Sequence, residues 1–254
     1  MHAHLFQYDI AWEDKAANHD RVRALAEEAG VAPGGVIVLP EMFDTGFSMR
    51  TELTAADPER SICFLSAFAR ERGCDVVASI AVPADVEGKC FNRAYVVGSD
   101  GVPTGHADKV HPFSYGRESE RFVGGSTVGV FDAAGFTLCP IVCYDLRFPE
   151  CFRAGVDGGA EVFAVIANWP AARVEHWRAL CIARAIENQA CVLGLNRCGS
   201  DPALTYPGAS LVVDAMGVVV AEADDSETVL SVQVDTAALR SWREHFPALR
   251  DRKR

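Results

Sequence analysis

Short β-branched runs alternate along the chain with stretches whose apolar residues recur at helical spacing, as when helices cover the faces of sheets. A helix is predicted from about Asp14 to Ala29, with Val22, Leu25, Ala26 and Ala29 on its apolar face and Gly30 as its stop. A short apolar strand follows, Val36 to Leu39, ending at Pro40-Glu41, and Asp75 to Val82 forms another. Two hairpins are predicted. One runs Asn92 to Val97, turns at Gly98-Ser99-Asp100-Gly101 and returns from Val102; the other is Ser210 to Asp214 with a turn at Met216-Gly217. Phe136 to Val142 and Glu161 to Ala167 are buried strands, with room between them for a short helix, Arg147 to Ala154. A longer helix over His176 to Asn188 gathers Trp177, Leu180, Cys181, Ala185 and Asn188 on one face before the strand Ala190 to Leu195. Crossovers mixed with hairpins imply an α/β protein with mixed rather than purely parallel sheets. No repeat, low-complexity block or linker interrupts residues 1 to 245, so 1–254 reads as a single domain.

Composition narrows the class. Of 254 residues 49% are hydrophobic and 23% charged, which suits a globular protein with a large core. The net charge of -11 argues against a nucleic-acid surface, which needs a basic stripe to displace phosphate counterions. The one basic cluster, Arg250 to Arg254, reads as a solvated tail. No run approaches the roughly 18 to 20 apolar residues that span a bilayer. The start, Met1-His2-Ala3-His4-Leu5, lacks a basic region followed by an apolar one, so a cytoplasmic protein is expected. Nine cysteines, an odd number scattered from Cys63 to Cys198 and mostly inside apolar runs, fit reduced thiols that fill the core.

Three polar residues stand where an apolar strand stops, the place where α/β enzymes collect reactive groups. Glu41 follows Val36-Ile37-Val38-Leu39-Pro40. Lys109 follows the first hairpin. Cys143 follows Phe136 to Val142 and opens a strand-to-helix turn, where helix N-terminal amides stabilise a thiolate and can receive an oxyanion. Each has an ordinary alternative: a solvated glutamate, a surface lysine, a buried cysteine like Cys139. Together they supply what acyl transfer needs, a base to take the thiol proton and a cation beside the developing oxyanion.

Rival constellations are poorer. Cys139, Cys143 and Cys151 lack the paired spacing or neighbouring histidines of a zinc site, and His2-x-His4 is not a site by itself, so no metal is expected. Neither a phosphate-cradling glycine loop nor a G-x-S-x-G elbow occurs.

Over nearly its whole length the chain resembles the nitrilase superfamily of carbon-nitrogen hydrolases. Leu39-Pro40-Glu41-Met42-Phe43 is similar to the glutamate motif, Asp108-Lys109-Val110-His111 to the lysine motif, and Cys143-Tyr144-Asp145-Leu146-Arg147-Phe148-Pro149-Glu150 to the cysteine motif, in that order. Asp9 to Asp14, Asn168-Trp169-Pro170 and Arg184 to Gln189 extend the similarity. The resemblance implies a four-layer α-β-β-α sandwich with two mixed sheets, pairing as a homodimer through the cysteine-bearing region. It also implies Glu41 as general base, Cys143 as nucleophile, Lys109 as the cation facing the tetrahedral intermediate and the Tyr144 backbone amide as second oxyanion donor. A second glutamate belongs in the loop after the lysine; Glu118 is the better match and Glu120 the alternative. No cofactor is implied.

The longer stretch Leu39 to Met49, ending Gly46-Phe47-Ser48-Met49, is most similar to omega-amidases, which hydrolyse the terminal amide of 2-oxoglutaramate and 2-oxosuccinamate. Asp44 and Pro112 depart from the residues expected beside the catalytic positions, which leaves the acyl pocket open to differ. A 2-oxo acid carries a carboxylate that an acidic protein must meet with a local cation or backbone amides. Arg147 and Arg173 are candidates for that contact, and Phe47 and Trp169 for an apolar wall. A transaminase is a natural supplier of substrate. N-carbamoyl amine, aliphatic amide or nitrile hydrolysis would differ only in the acyl pocket. A non-catalytic relative or a redox-sensing thiol protein are readings of another class, disfavoured by the intact Glu41, Lys109 and Cys143 and by the absence of a resolving cysteine.

Overall fold

Two six-stranded mixed sheets stack face to face in the computed structural model, which describes residues 1–253. The first half of the chain runs β1 (His2–Gln7), α1 (Lys15–Glu28), β2 (Val36–Val38), α2 (Thr51–Thr54), α3 (Pro58–Arg72), β3 (Asp75–Pro83), β4 (Cys90–Val97) and β5 (Pro103–Asp108). The second half runs β6 (Phe131–Ala133), β7 (Phe136–Val142), α4 (Pro149–Asp157), β8 (Val162–Ala167), α5 (Val174–Asn188) and β9 (Cys191–Asn196). It continues through β10 (Cys198–Ser200), β11 (Thr205–Pro207), β12 (Leu211–Val213), β13 (Val219–Glu222), β14 (Thr228–Gln233) and α6 (Thr236–His245).

The first sheet has the order β14-β1-β2-β3-β4-β5, with β1, β2 and β3 parallel and the outer pairs antiparallel. The second, β13-β12-β9-β8-β7-β6, repeats the plan around parallel β7, β8 and β9, and β10 and β11 form a separate small hairpin. Alternation decides what each strand touches. Val36 and Val38 of β2 face the layer between the sheets, with Leu138, Val142 and Ala164, whereas Ile37 points to the helices, with Val22, Leu25 and Phe68. A strand buried on both faces has no polar side, so β2 reads as an unbroken apolar run. Helices α1 and α3 cover the first sheet and α4 and α5 the second, giving the four-layer sandwich.

Local chemistry sets the helix ends. The Asp14 carboxylate accepts the Ala17 N–H at 3.0 Å to start α1. In α3, Pro58 occupies the first turn, the Asp57 carboxylate accepts the Arg60 N–H, and Gly73 takes a φ of +60° at the stop. The predicted helix Arg147 to Ala154 is displaced. Residues Cys143–Arg147 form a 3₁₀ turn, Phe148 is extended because it precedes a proline, and α4 starts at Pro149 and runs to Asp157. Helix α1 also departs from its predicted face: Ala29 is exposed, and Asn18 and His19 are buried beside Val22, Leu25 and Ala26. Among the described residues no helix is long and apolar enough to cross a membrane.

His19 has a measurable consequence. Its ring stacks on Phe64 at 4.0 Å between centroids and lies 3.3 Å from Ser61 Oγ, which itself donates to Asp44. Burial, aided by Arg60, Lys15 and Arg23, lowers its pKa to about 4. Between about 6.5 and about 4 the unfolded chain therefore binds a proton that the folded chain refuses, and stability falls as pH drops through that window. From pH 7 to pH 4 the denaturant midpoint of wild type should fall relative to that of His19→Phe; parallel curves would contradict the assignment.

Candidate active site

The C-terminal ends of three parallel strands meet where the sheets face one another. Glu41 lies just beyond β2, Cys143 follows β7 and Asn168 follows β8, while Lys109 leaves the end of β5. Strand β4 ties these together: Asn92 O accepts the Lys109 backbone N–H at 2.9 Å, and its side chain turns to the same charges.

Lys109 is 1% exposed and its ammonium is shared by two buried carboxylates, Glu41 Oε1 at 2.8 Å and Glu118 Oε2 at 2.8 Å. Each carboxylate is further bonded. Asn92 Nδ2 donates to Glu41 Oε1 at 2.9 Å and to Glu118 Oε1 at 3.3 Å. The other Glu41 oxygen, Oε2, accepts from the Asn168 backbone N–H at 3.0 Å and from Asn168 Nδ2 at 3.2 Å. Glu118 Oε2 accepts the Phe113 N–H at 2.5 Å. Both asparagines must turn their NH2 toward carboxylates, which leaves Asn92 Oδ1 and Asn168 Oδ1 buried without a donor.

The two glutamates are driven apart in acidity. Burial pushes Glu41 upward, but Lys109 and the Asn168 donors outweigh it and hold Glu41 below the usual carboxylate value. Glu118 is raised, by burial first and then by repulsion from Glu41, against the pull of Lys109. Lys109 itself is pushed down by burial and more strongly up by its two acidic neighbours, so it stays charged.

Cys143 sits 4.0 Å from the Asn168 carbonyl with a φ of +47°, a left-handed conformation that lifts a non-glycine residue out of the strand direction. Burial and the Glu41 charge push its thiol well above the ordinary value, and Lys109 offsets this only in part. The sequence pattern suggested a thiolate stabilised by helix amides. In the structure α4 starts six residues later, and burial with the nearby Glu41 charge disfavours the thiolate, so the arrangement favours the neutral thiol.

Cys143 opens into a pocket lined by Phe47, Phe113, Tyr144, Asn168, Trp169 and Tyr206, with Arg147 and Arg173 at its wall. Phe47 also lies beneath Lys109, with Nζ 5.1 Å from the ring centre. Arg147 stacks on Trp169 at 4.9 Å and Arg173 on Phe113 at 5.5 Å, and Trp169 Nε1 donates to the Arg173 carbonyl at 2.7 Å. Glu120 lies elsewhere: its side chain is 54% exposed and paired with Arg117. Asp44 turns away from the pocket, buried against Ser61 and Lys15.

Among the described residues, His111, Asp145 and Cys151 bring donor atoms within 4.8 Å of one another. A carboxylate only accepts, so His111 Nδ1 carries the proton it shares with Asp145 Oδ1 at 2.8 Å, and both Asp145 oxygens also accept backbone N–H groups. His111 Nδ1 and Asp145 Oδ1 are taken up in these bonds, and the trio forms a hydrogen-bonded link. The sequence did not single out Asn92, Asn168 or Asp145 for a role. Asn92 left a trace: it shares its parity in β4 with Cys90, Ala94 and Val96, a polar residue on an otherwise apolar buried face.

A buried thiol, an ionised carboxylate and a trapped ammonium around one apolar pocket define a thiol hydrolase acting through an acyl-enzyme. The chain belongs to the carbon-nitrogen hydrolase family, whose sequence profile matches residues 3–244. It is 36% identical to "Omega-amidase YafV" of Escherichia coli (strain K12) over 97% of this chain and 94% of that protein. It is 32% identical to "2-oxoglutaramate amidase" of Bacillus subtilis over 96% and 95% of the two chains. Among solved structures it superposes with a TM-score of 0.91 on XC1258 of Xanthomonas campestris, a CN-hydrolase superfamily protein with an arsenic adduct in its active site. The two are 33% identical, over 100% of this chain and 97% of that one. The protein is thus an amidohydrolase of the nitrilase superfamily, in its omega-amidase branch.

The contrast between the two nearby acids predicts a clear asymmetry. Glu118→Gln removes a charge holding Lys109 and should lower amide turnover on the order of 100-fold or more, whereas Glu120→Gln should stay within about 2-fold of wild type as an exposed-pair change. Ammonia release by the two purified variants checks this, and equal losses would contradict the placement of Glu118.

Proposed function

We propose that the protein hydrolyses the terminal amide of a small 2-oxo dicarboxylic acid monoamide, 2-oxoglutaramate or 2-oxosuccinamate, releasing ammonia. The observation that carries this reading is the pair Arg147 and Arg173. Both line the pocket with Cys143, both are stacked on aromatic rings, and neither is ion-paired with a described carboxylate. An acidic protein that keeps two unneutralised guanidinium groups beside its nucleophile is suited to an anionic substrate. The names of the relatives, omega-amidase and 2-oxoglutaramate amidase, support the same substrate class.

In the cycle Glu41 takes the Cys143 proton as sulfur attacks the amide carbon. Lys109 and the Tyr144 backbone N–H meet the oxyanion, and Glu41 returns the proton to nitrogen so that ammonia leaves and a thioester remains. Water, deprotonated by Glu41, then attacks the thioester, and the carboxylic acid departs with the thiol restored. Glu118 holds Lys109 in place throughout. The cycle uses only substrate and water, with no metal or organic cofactor. We read residues 1–254 as one catalytic domain, supported by the family match over 3–244, working as a cytoplasmic homodimer with a transaminase as the source of its oxo-acid amide.

Ammonia release from 2-oxoglutaramate, glutamine, a simple nitrile and an N-carbamoyl amine, with wild type and Cys143→Ala in parallel, tests the proposal. Preferential release from the oxo-acid amide, lost in Cys143→Ala, is expected; turnover of another member of the panel alone would discard the substrate. Arg147→Leu or Arg173→Leu should raise KM for 2-oxoglutaramate about 10-fold or more, the scale of one charge-assisted hydrogen bond, and leave KM for a short uncharged amide nearly unchanged.

A further inference from the structure

Lys109 and Cys143 belong to different sheets, and the layer between those sheets is apolar. Apolar packing is non-directional, so it brings the two residues near one another without fixing their relative orientation. Asp145 supplies a directional link. It lies two residues after Cys143 and is 2% exposed, yet its carboxylate grips the segment that immediately follows Lys109. Oδ2 accepts the Val110 N–H at 2.9 Å, while Oδ1 accepts the His111 N–H at 2.8 Å and His111 Nδ1–H at 2.8 Å. The rest of each segment is anchored to its own side. Lys109 is held to β4 through Asn92 and its carbonyl accepts the Gly125 N–H at 2.8 Å, whereas Leu146 O accepts from Arg184 Nε of α5 at 3.1 Å. The His111 ring stacks on Phe148 at 3.7 Å and reinforces the same junction.

We propose that Asp145 is a positioning residue of the hydrolysis: its carboxylate locks the lysine-bearing loop to the nucleophile turn, so that the Lys109 ammonium and Cys143 keep the alignment the oxyanion requires. The inference rests on the roles given above to Lys109 and Cys143. Asparagine is the informative replacement, since its single oxygen can serve one side only and its NH2 would then oppose a backbone N–H, donor against donor. His111→Phe is the milder one, because it keeps the stack and both backbone donors and removes only the ring donor.

The test is a double-mutant cycle on kcat for 2-oxoglutaramate, with thermal unfolding recorded for every variant. Asp145→Asn should lower kcat about 10-fold to 100-fold, the scale of an ångström of misalignment, with KM changed less than about 3-fold. His111→Phe should lower it less. In a Lys109→Ala background, where there is no ammonium left to position, Asp145→Asn should cost under about 3-fold. An equal loss in both backgrounds, or a folded Asp145→Asn with full kcat, would overturn the proposal. If Asp145→Asn does not fold, the cycle of His111→Phe with Lys109→Ala gives the same reading. Wild-type turnover in Lys109→Ala alone would overturn the catalytic assignment and the clamp together, which separates that failure from a failure of Asp145 only.

Discussion

A single ammonium buried between two carboxylates is the constraint on which the rest of the site depends. Lys109, Glu41 and Glu118 are all essentially excluded from water, and ions removed from water repay their desolvation only with close, fully bonded geometry. The structure provides that geometry from every side: Asn92 from β4, the backbone and side chain of Asn168 from the end of β8, and the Phe113 N–H from the loop that carries Glu118. Taking away the lysine would leave two adjacent buried negative charges, a loss of about 3–5 kcal/mol for a broken buried pair. Stability and chemistry are therefore hard to separate at this position.

The charge count has a chemical consequence. One cation serves two acids: burial and the Glu41 charge disfavour ionisation of both Glu118 and Cys143, while Lys109 and the Asn168 donors favour the ionised form of Glu41. The proposed cycle therefore starts from a neutral thiol beside a charged base. In the proposed cycle negative charge moves onto sulfur and then onto the substrate oxygen only as Glu41 accepts a proton, so that charge develops beside the Lys109 ammonium. The fold serves this arrangement by directing parallel strand ends from both sheets into one dry junction.

Much of the architecture was legible because β2, β7, β8 and β9 are buried on both faces and read as continuous apolar runs. Glu41 and Cys143 stood out as polar residues at the ends of such runs, and Lys109 as a cation past the end of a hairpin strand, β5, that is itself mostly polar. Less could be read where a residue's role depends on a partner distant in sequence. Asn168 matters because it meets Glu41, 127 positions away, and Asp145 because it meets Val110 and His111 across the sheet interface. The apolar face of α1 misled for a related reason: Asn18 is buried because its side chain bonds Ala11 and Asp44, which no periodicity records. The displaced start of α4 was, by contrast, a local matter, since the proline at position 149 excludes Phe148 from the helix.

The central claim is that Cys143 rests as a protonated thiol and relies on Glu41. Ultraviolet titration of thiolate absorbance, taken as the difference between wild type and Cys143→Ala, reads that claim directly. The account predicts no Cys143 thiolate signal at neutral pH and a rise only above the ordinary thiol range of about 8.5; a full thiolate step below pH 7 would contradict it.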